Sequence, residues 1–279
     1  MKTWFITGAS RGFGALIAQR ALDNGDNVVA TARNPQAVVD RLGQHARLLP
    51  LALDVTDEAQ ARSAADVAVQ RFGRIDVLLN NAGYGLLGAV EEVSGADVEK
   101  LYRTNVFGLL AVTRAVLPHM RAQRSGRILN ISSIGGYRAG AGFGVYCSTK
   151  FAVEGLSEAL HAELAPLGIH VTVIEPGYFR TDFLDTTSLS VSPTSIADYN
   201  TTAGAVRNLA SDLNHAQPGD PERLARVLVE FVDAPNPPVR LPLGSDTVAA
   251  IEAKHKADAA ILAEWWSVSV STDFADRAA

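Results

Sequence analysis

The chain has 279 residues, 47 % of them hydrophobic, which is enough for a large buried core. Its formal net charge is −5 and its Lys and Arg residues are scattered, leaving no basic footprint for nucleic acid or an anionic membrane surface. A single cysteine, Cys147, excludes an internal disulfide, and six widely spaced histidines add no zinc-ligand spacing, so metal-free chemistry on a small soluble ligand is expected.

The opening "MKTWFITGAS" holds too short an apolar run for a signal peptide. No stretch approaches the roughly 18–20 apolar residues of a membrane span, so a cytoplasmic protein is expected. Short β-rich runs then alternate with segments of helical period: "TWFIT" then 15–24, "NVVATA" then 35–42, "RLLPLAL" then 57–72, "IDVLLN" then 94–120. The pattern continues with "RILNIS" then 146–166, "HVTVIE", and a helical 221–233 before "PVRLPL". Runs apolar on both faces predict strands buried on both sides, hence an α/β fold with a parallel sheet between helices joined by right-handed crossovers. No composition break divides the alternation, so one domain over 1–279 is expected.

Two segments depart from the pattern. Residues 178–219, rich in Ser, Thr, Asp and Asn, are far longer than an ordinary connection and predict a mobile lid, its inner surface supplied by Tyr178, Phe179, Phe183 and Tyr199. The tail, about 246–279, predicts a helix over 246–266 ending in "EWW", whose tryptophans would pack on the core or on a second subunit.

Between the first strand and first helix stands "TGASRGFG", with Gly8, Gly12 and Gly14. Glycines there let backbone N–H groups approach a pyrophosphate at the positive end of a helix. The same letters match G-x-S-x-G, a serine-hydrolase elbow, but that elbow needs an oxyanion donor from a loop after an earlier strand, and only Met1 and Lys2 precede this one. A P-loop is excluded because no Gly-Lys-Ser/Thr follows. Near the end of the second strand, where an acidic residue would accept a ribose 2′-hydroxyl, the chain reads "ATARN". Arg33, with Arg11 from the glycine turn, would instead pair with a 2′-phosphate, so NADP(H) is the expected cofactor.

In "GVYCSTKFAVEGL", Tyr146 and Lys150 stand four apart and project from one helix face. A phenol titrates near pKa ~10, too high for easy proton exchange at neutrality. An ammonium at roughly 4 Å and an effective dielectric of about 20 would stabilise the phenolate by about 4 kcal/mol, or about three pKa units. The lysine is therefore expected to tune the tyrosine. Cys147, beside it, is expected to be a packing residue.

Taken in order, "TGASRGFG", "NNAG" at 80–83, "TNVFG" around Asn105, "ILNISS" ending at Ser133, Tyr146 with Lys150, and "PG" at 176–177 resemble the classical short-chain dehydrogenase/reductase family over roughly residues 3–185. The resemblance implies a doubly wound, Rossmann-type, mostly seven-stranded parallel sheet and hydride transfer between a nicotinamide and a carbonyl or alcohol carbon. It implies that Ser133 holds the substrate oxygen, that Tyr146 donates the proton, that Lys150 binds the ribose and tunes the tyrosine, and that Asn105 holds a water in the proton relay. Neighbouring Ser132 would point to the opposite face of an extended chain. Cofactor contacts are implied for Gly8, Ser10, Arg11, Gly12, Phe13, Gly14, Arg33, Asp54, Val55, Asn81, Ala82, Gly83, Tyr146, Lys150, Pro176, Gly177 and Thr181. Asp54 has a local alternative, helping to start the helix at 57.

The expected activity is NADPH-dependent reduction of a carbonyl compound, reversible as a secondary-alcohol dehydrogenase. An NAD-linked dehydrogenase of the same family and a non-catalytic NADP(H)-sensing protein are the alternatives. The resemblance further suggests a homodimer or homotetramer built through 94–120 and 146–166.

Overall fold

All seven strand runs pair, in parallel, into one sheet. The computed structural model describes residues 1–274. In chain order the first half contains β1 (Thr3–Thr7), α1 (Gly12–Asp23), β2 (Asn27–Ala32), α2 (Gln36–Leu42), β3 (Leu48–Ala52), α3 (Glu58–Phe72), β4 (Val77–Asn80), β5 (Gly85–Leu87), α4 (Gly95–Tyr102) and α5 (Leu109–Gln123). The second half contains β6 (Gly126–Ile131), α6 (Gly144–Leu164), β7 (Ile169–Pro176), β8 (Leu189–Val191), α7 (Ala205–Leu213), α8 (Pro221–Phe231), β9 (Arg240–Leu243) and α9 (Ser245–Val270). The sheet order is β3-β2-β1-β4-β6-β7-β9. The chain therefore runs outward from β1 to β3, returns beside β1 as β4, and continues the other way. That reversal opens a crevice beyond the carboxyl ends of β1 and β4, where open α/β sheets take ligands.

Strand periodicity sorts side chains into two cores. Trp4, Ile6, Val28, Val77 and Leu129 face α1 and α8, meeting Ile17, Ala21, Leu224 and Leu228. Phe5, Val29, Leu78, Ile128 and Val171 face α3, α5 and the end of α6, meeting Ala61, Ala65, Val112, Val116 and Leu164. Helix ends follow local chemistry: the Asp57 carboxylate caps α3 by accepting from Ala59 N and Gln60 N at 2.9 and 3.0 Å, and left-handed Gly73 (φ 80°) ends it.

Three segments differ from the sequence expectation. The predicted helix over 94–120 is interrupted by a π-helical turn, Arg103–Gly108, which carries Asn105. Residues 178–219 are built rather than open: β8 pairs in parallel with β5, and α7 packs Ala210 against Leu87 and Leu189. Alternation in three-residue strands is too short to register as a pattern. The tail helix forms, as α9, but Trp265 and Trp266 are 54 % and 58 % exposed and do not pack on the core. Tail residues 275–279 lie outside the described residues.

Candidate active site

A cavity of about 1080 Å³ runs across the crevice, from the glycine turn and Arg33 at one end to Leu184, Val206 and Leu209 at the other. At the first end, Gly8 (φ +67°) and Gly12 (φ +52°) are left-handed, and a Cβ at Gly12 would meet nothing within 4 Å. The opening turn of α1 thus presents bare backbone to the cavity, a concavity that fits a pyrophosphate. Asn81 fixes the turn from the end of β4: its Nδ2 donates to Thr7 O and Gly8 O at 3.0 and 3.1 Å, and its N–H donates to Thr7 Oγ1 at 2.9 Å. Ser10, Arg11, Phe13, Arg33, Asp54, Val55, Ala82, Gly83, Pro176, Gly177 and Thr181 also line the cavity, as expected from the sequence. Arg11 donates to Thr187 O in the 178–219 segment. Asp54 accepts from Thr56 N and Oγ1, so the start of α3 belongs to Asp57.

Gly14 is not on the cavity wall. It lies beneath the turn, where a Cβ would press on the Gly8 carbonyl and stand 2.6 Å from Asn81 Nδ2. Gly14→Ala is therefore expected to lose about 3 kcal/mol of stability, the upper end of overpacking because the clash is with backbone, whereas Gly12→Ala should cost about 1–2 kcal/mol, the left-handed penalty alone. Thermal unfolding of the two variants checks the order.

At the middle of the cavity three side chains converge. Ser133, in extended backbone after β6, and Tyr146, in the first turn of α6, both approach Gly135: a Cβ there would lie 3.5 Å from Ser133 Oγ and 3.6 Å from Tyr146 Cε1. Lys150 follows one turn later and donates from Nζ to Ile131 O at 2.9 Å. The Tyr146 ring sits between Phe143 and Phe183, with ring centroids 5.9 and 5.6 Å away. Asn105 lies behind the wall. Its Nδ2 donates to Tyr84 O and Thr149 Oγ1 at 3.0 and 3.3 Å, its Oδ1 accepts from Tyr84 N at 3.1 Å, and it backs Gly83 directly.

The expected tuning of the phenol runs the other way in the protein alone. Burial pushes the Tyr146 phenol well above its usual range, with the nearby Ser133 hydroxyl only partly opposing it. Lys150 Nζ stands 5.7 Å from the tyrosine ring centroid and is itself buried; desolvation brings it down to about 8 while the Glu154 carboxylate raises it. Burial, which disfavours the charged form of each group, is the largest cause of both shifts. Burial also raises the Cys147 thiol, which fits its packing role.

Several site residues carry no signal in the sequence. Asp246, at the start of α9, accepts from Tyr178 N at 2.8 Å and lies against Gly177, where no side chain would fit. Behind Lys150, Arg240 of β9 joins Glu154, Glu175 and Glu158 at 2.5, 2.8 and 2.8 Å and stacks on Tyr137, whose hydroxyl meets His255 of α9. Burial raises the Glu154 carboxyl, and Glu175 beside it adds to the shift. These partners are 65 or more residues apart for Arg240–Glu175 and Tyr178–Asp246, beyond any spacing rule.

A family model described as short chain dehydrogenase matches residues 2–191. Among curated relatives, an oxidoreductase from Botryotinia fuckeliana (BOA17) is 42 % identical over 250 residues, 88 % of this chain and 90 % of its own length. A solved short-chain dehydrogenase from Streptomyces avermitilis superposes with a TM-score of 0.90 at 40 % identity, covering 98 % of this chain and 100 % of the other. A Burkholderia phymatum short-chain dehydrogenase/reductase in complex with NAD gives 0.80 at 25 % identity over 91 % and 93 % of the two chains. A serine dehydrogenase complexed with NADP+ gives 0.72 at 30 % identity over 86 % and 94 %.

Proposed function

The chain belongs to the short-chain dehydrogenase/reductase family, and from that premise we propose that this oxidoreductase of CH–OH groups is an NADPH-dependent carbonyl reductase. One observation carries the reading: Ser133, Tyr146 and Lys150 meet on the wall of a single cavity whose far end holds the glycine turn and Arg33. A bound nicotinamide would supply the hydride for the carbonyl carbon.

The protein's own groups do the rest. Ser133 Oγ holds the substrate oxygen and faces the charge that develops there. Tyr146, kept protonated by burial, gives its proton to that oxygen. Lys150, while charged, opposes the negative charge left on the phenol, and its contact with Ile131 O holds it in place. Asn105 is the proposed anchor for a water linking Lys150 to solvent, its amide fixed by Tyr84 and Thr149. Gly8, Ser10, Gly12, Phe13, Asn81 and Gly83 would cradle the dinucleotide, with Asp54 and Val55 at the adenine and Pro176, Gly177 and Thr181 at the nicotinamide. Leu86, Phe143 and Phe183 beside Tyr146, with Leu184, Val206 and Leu209 at the end away from the glycine turn, wall the cavity with apolar side chains, which suits an apolar carbonyl compound. The 178–219 segment is the proposed lid over one catalytic unit.

Preference for NADPH rests on Arg33 at the cavity wall and on the lack of an acid at the end of β2. The NAD-linked reading is kept as second, because the Burkholderia phymatum structure holds NAD. Arg33→Ala is expected to weaken NADPH binding roughly 10- to 100-fold, the worth of a charged hydrogen bond, and to leave NADH unchanged. Calorimetric titration with both cofactors, beside their oxidation rates over a panel of apolar ketones and quinones, tests this. Equal use of NADH and NADPH by the unaltered protein would reject the preference, and no oxidation of either across the panel would reject the reductase.

A further inference from the structure

α9 leaves the body of the protein. A helix of 26 residues is about 39 Å long at 1.5 Å per residue, and every residue from 255 to 274 is exposed. Its root is held: Thr247 is fully buried, Asp246 binds the 176–178 loop, and His255 meets Tyr137. Beyond that root none of the described residues covers it. In proteins most helical stability comes from burying an apolar face.

This helix has such a face. Ile261, Leu262, Trp265, Trp266 and Val268 are spaced i, i+1, i+4, i+5 and i+7, so they share one side, and each is 54–58 % exposed. Residues 257–270 contain only two charges, Asp258 and Glu264, and no Lys or Arg. An anionic lipid surface would select basic residues on the polar side of such a helix, and their absence here argues for a protein partner.

We propose that the outer half of α9 pairs, antiparallel, with the same helix of a second copy of this chain. Two properties commit the surface to that occupant. The first is area. The exposed parts of these five side chains amount to roughly 600 Å² per copy, hence roughly 1,200 Å² across a two-fold pair, the lower bound of stable interfaces. The second is charge. Lys254, which pairs with Asp258 of its own helix at 2.9 Å, stands before the apolar face, and Asp273 stands beyond the helix end. In an antiparallel pair centred between Leu262 and Trp265, Asp273 of one copy falls beside Lys254 of the other, and the tryptophans fall on Ile261 and Leu262. A pairing through α9 is separate from any contact through α5 and α6, and it does not depend on the reductase reading.

The test uses the full chain without ligand. The protein has three tryptophans, and Trp4 is fully buried and far from α9 in sequence, so a change in tryptophan emission on dilution reports on Trp265 and Trp266. Dilution from about 100 to below 1 µM should shift emission to the red as sedimentation velocity shows the assembly halving in mass. Trp265→Glu with Trp266→Glu should halve the mass at high concentration, with association weakened about 30-fold or more, as for buried hot-spot tryptophans. Should that pair of changes prevent folding, Lys254→Glu alone should weaken association several-fold at low salt, and adding Asp273→Lys should restore it. Equal mass for the unaltered and double-Glu proteins, emission independent of concentration, or a Lys254→Glu protein that associates normally each overturns the proposal. A blue shift produced only by anionic vesicles, at constant mass, also overturns it and assigns the helix to a lipid surface.

Discussion

Tyr146→Phe is expected to lower kcat/KM for carbonyl reduction about 10³-fold, some 4 kcal/mol of barrier, while leaving the affinity for the dinucleotide within about twofold. The direction follows from what the substitution removes. Phenylalanine keeps the ring packed between Phe143 and Phe183, so the wall of the cavity is preserved, but no proton remains to be given to the substrate oxygen. Initial rates together with calorimetric binding check both halves. Turnover above a tenth of the unaltered rate would remove Tyr146 from the role of proton donor. Normal binding in an unaltered protein that reduces nothing would favour the sensing alternative.

The second large effect concerns Lys150 and pH. Desolvation lowers the ammonium to about 8, so it is charged below that pH and neutral above it. The charged form opposes the negative charge that appears on Tyr146 as its proton leaves. Reduction measured as kcat/KM, which reports groups of the free enzyme, should therefore be flat below about pH 7.5. It should then fall towards tenfold per unit as pH rises through about 8. Tyr146 adds no limb in this range, because burial holds its own titration far higher. Lys150→Met should lower kcat/KM by about 10²–10³, the usual worth of one charge-stabilising donor, and should abolish the alkaline limb. An unchanged limb in the methionine variant would show that another group titrates there.

The fold was legible because parallel strands buried on both faces read as apolar runs, and all seven such runs, from "TWFIT" to "PVRLPL", are strands of the sheet. The approach of Tyr146 to Lys150 was legible for a different reason: both lie on one helix, where spacing is geometry. Ser133 reaches the pair from the loop after β6, and only the family resemblance pointed to it in advance. Asp246, Arg240 and Glu175 were not legible, since their contacts join strands and helices far apart in sequence. The sign of the tyrosine shift was missed because it depends on how completely the two groups are buried, which spacing does not encode. The exposure of Trp265 and Trp266 was missed because an apolar pair marks a face to be covered without saying what covers it.

Behind the catalytic wall runs a line of amides and hydroxyls with a bearing on folding fidelity. Asn80 and Asn130 are register partners in β4 and β6, and Asn80 Nδ2 donates to Asn130 Oδ1 at 2.9 Å and to Thr113 Oγ1 of α5 at 3.0 Å. Asn130 Nδ2 in turn donates to Ser157 Oγ of α6 at 2.9 Å. A slip of one residue between these strands, about 3.3 Å, would part the two amides and leave them buried without these partners, at about 1–3 kcal/mol for each orphaned group. The line therefore proofreads strand alignment, and because it ends on α6 it also sets the rotational phase of the helix that presents the phenol and the ammonium.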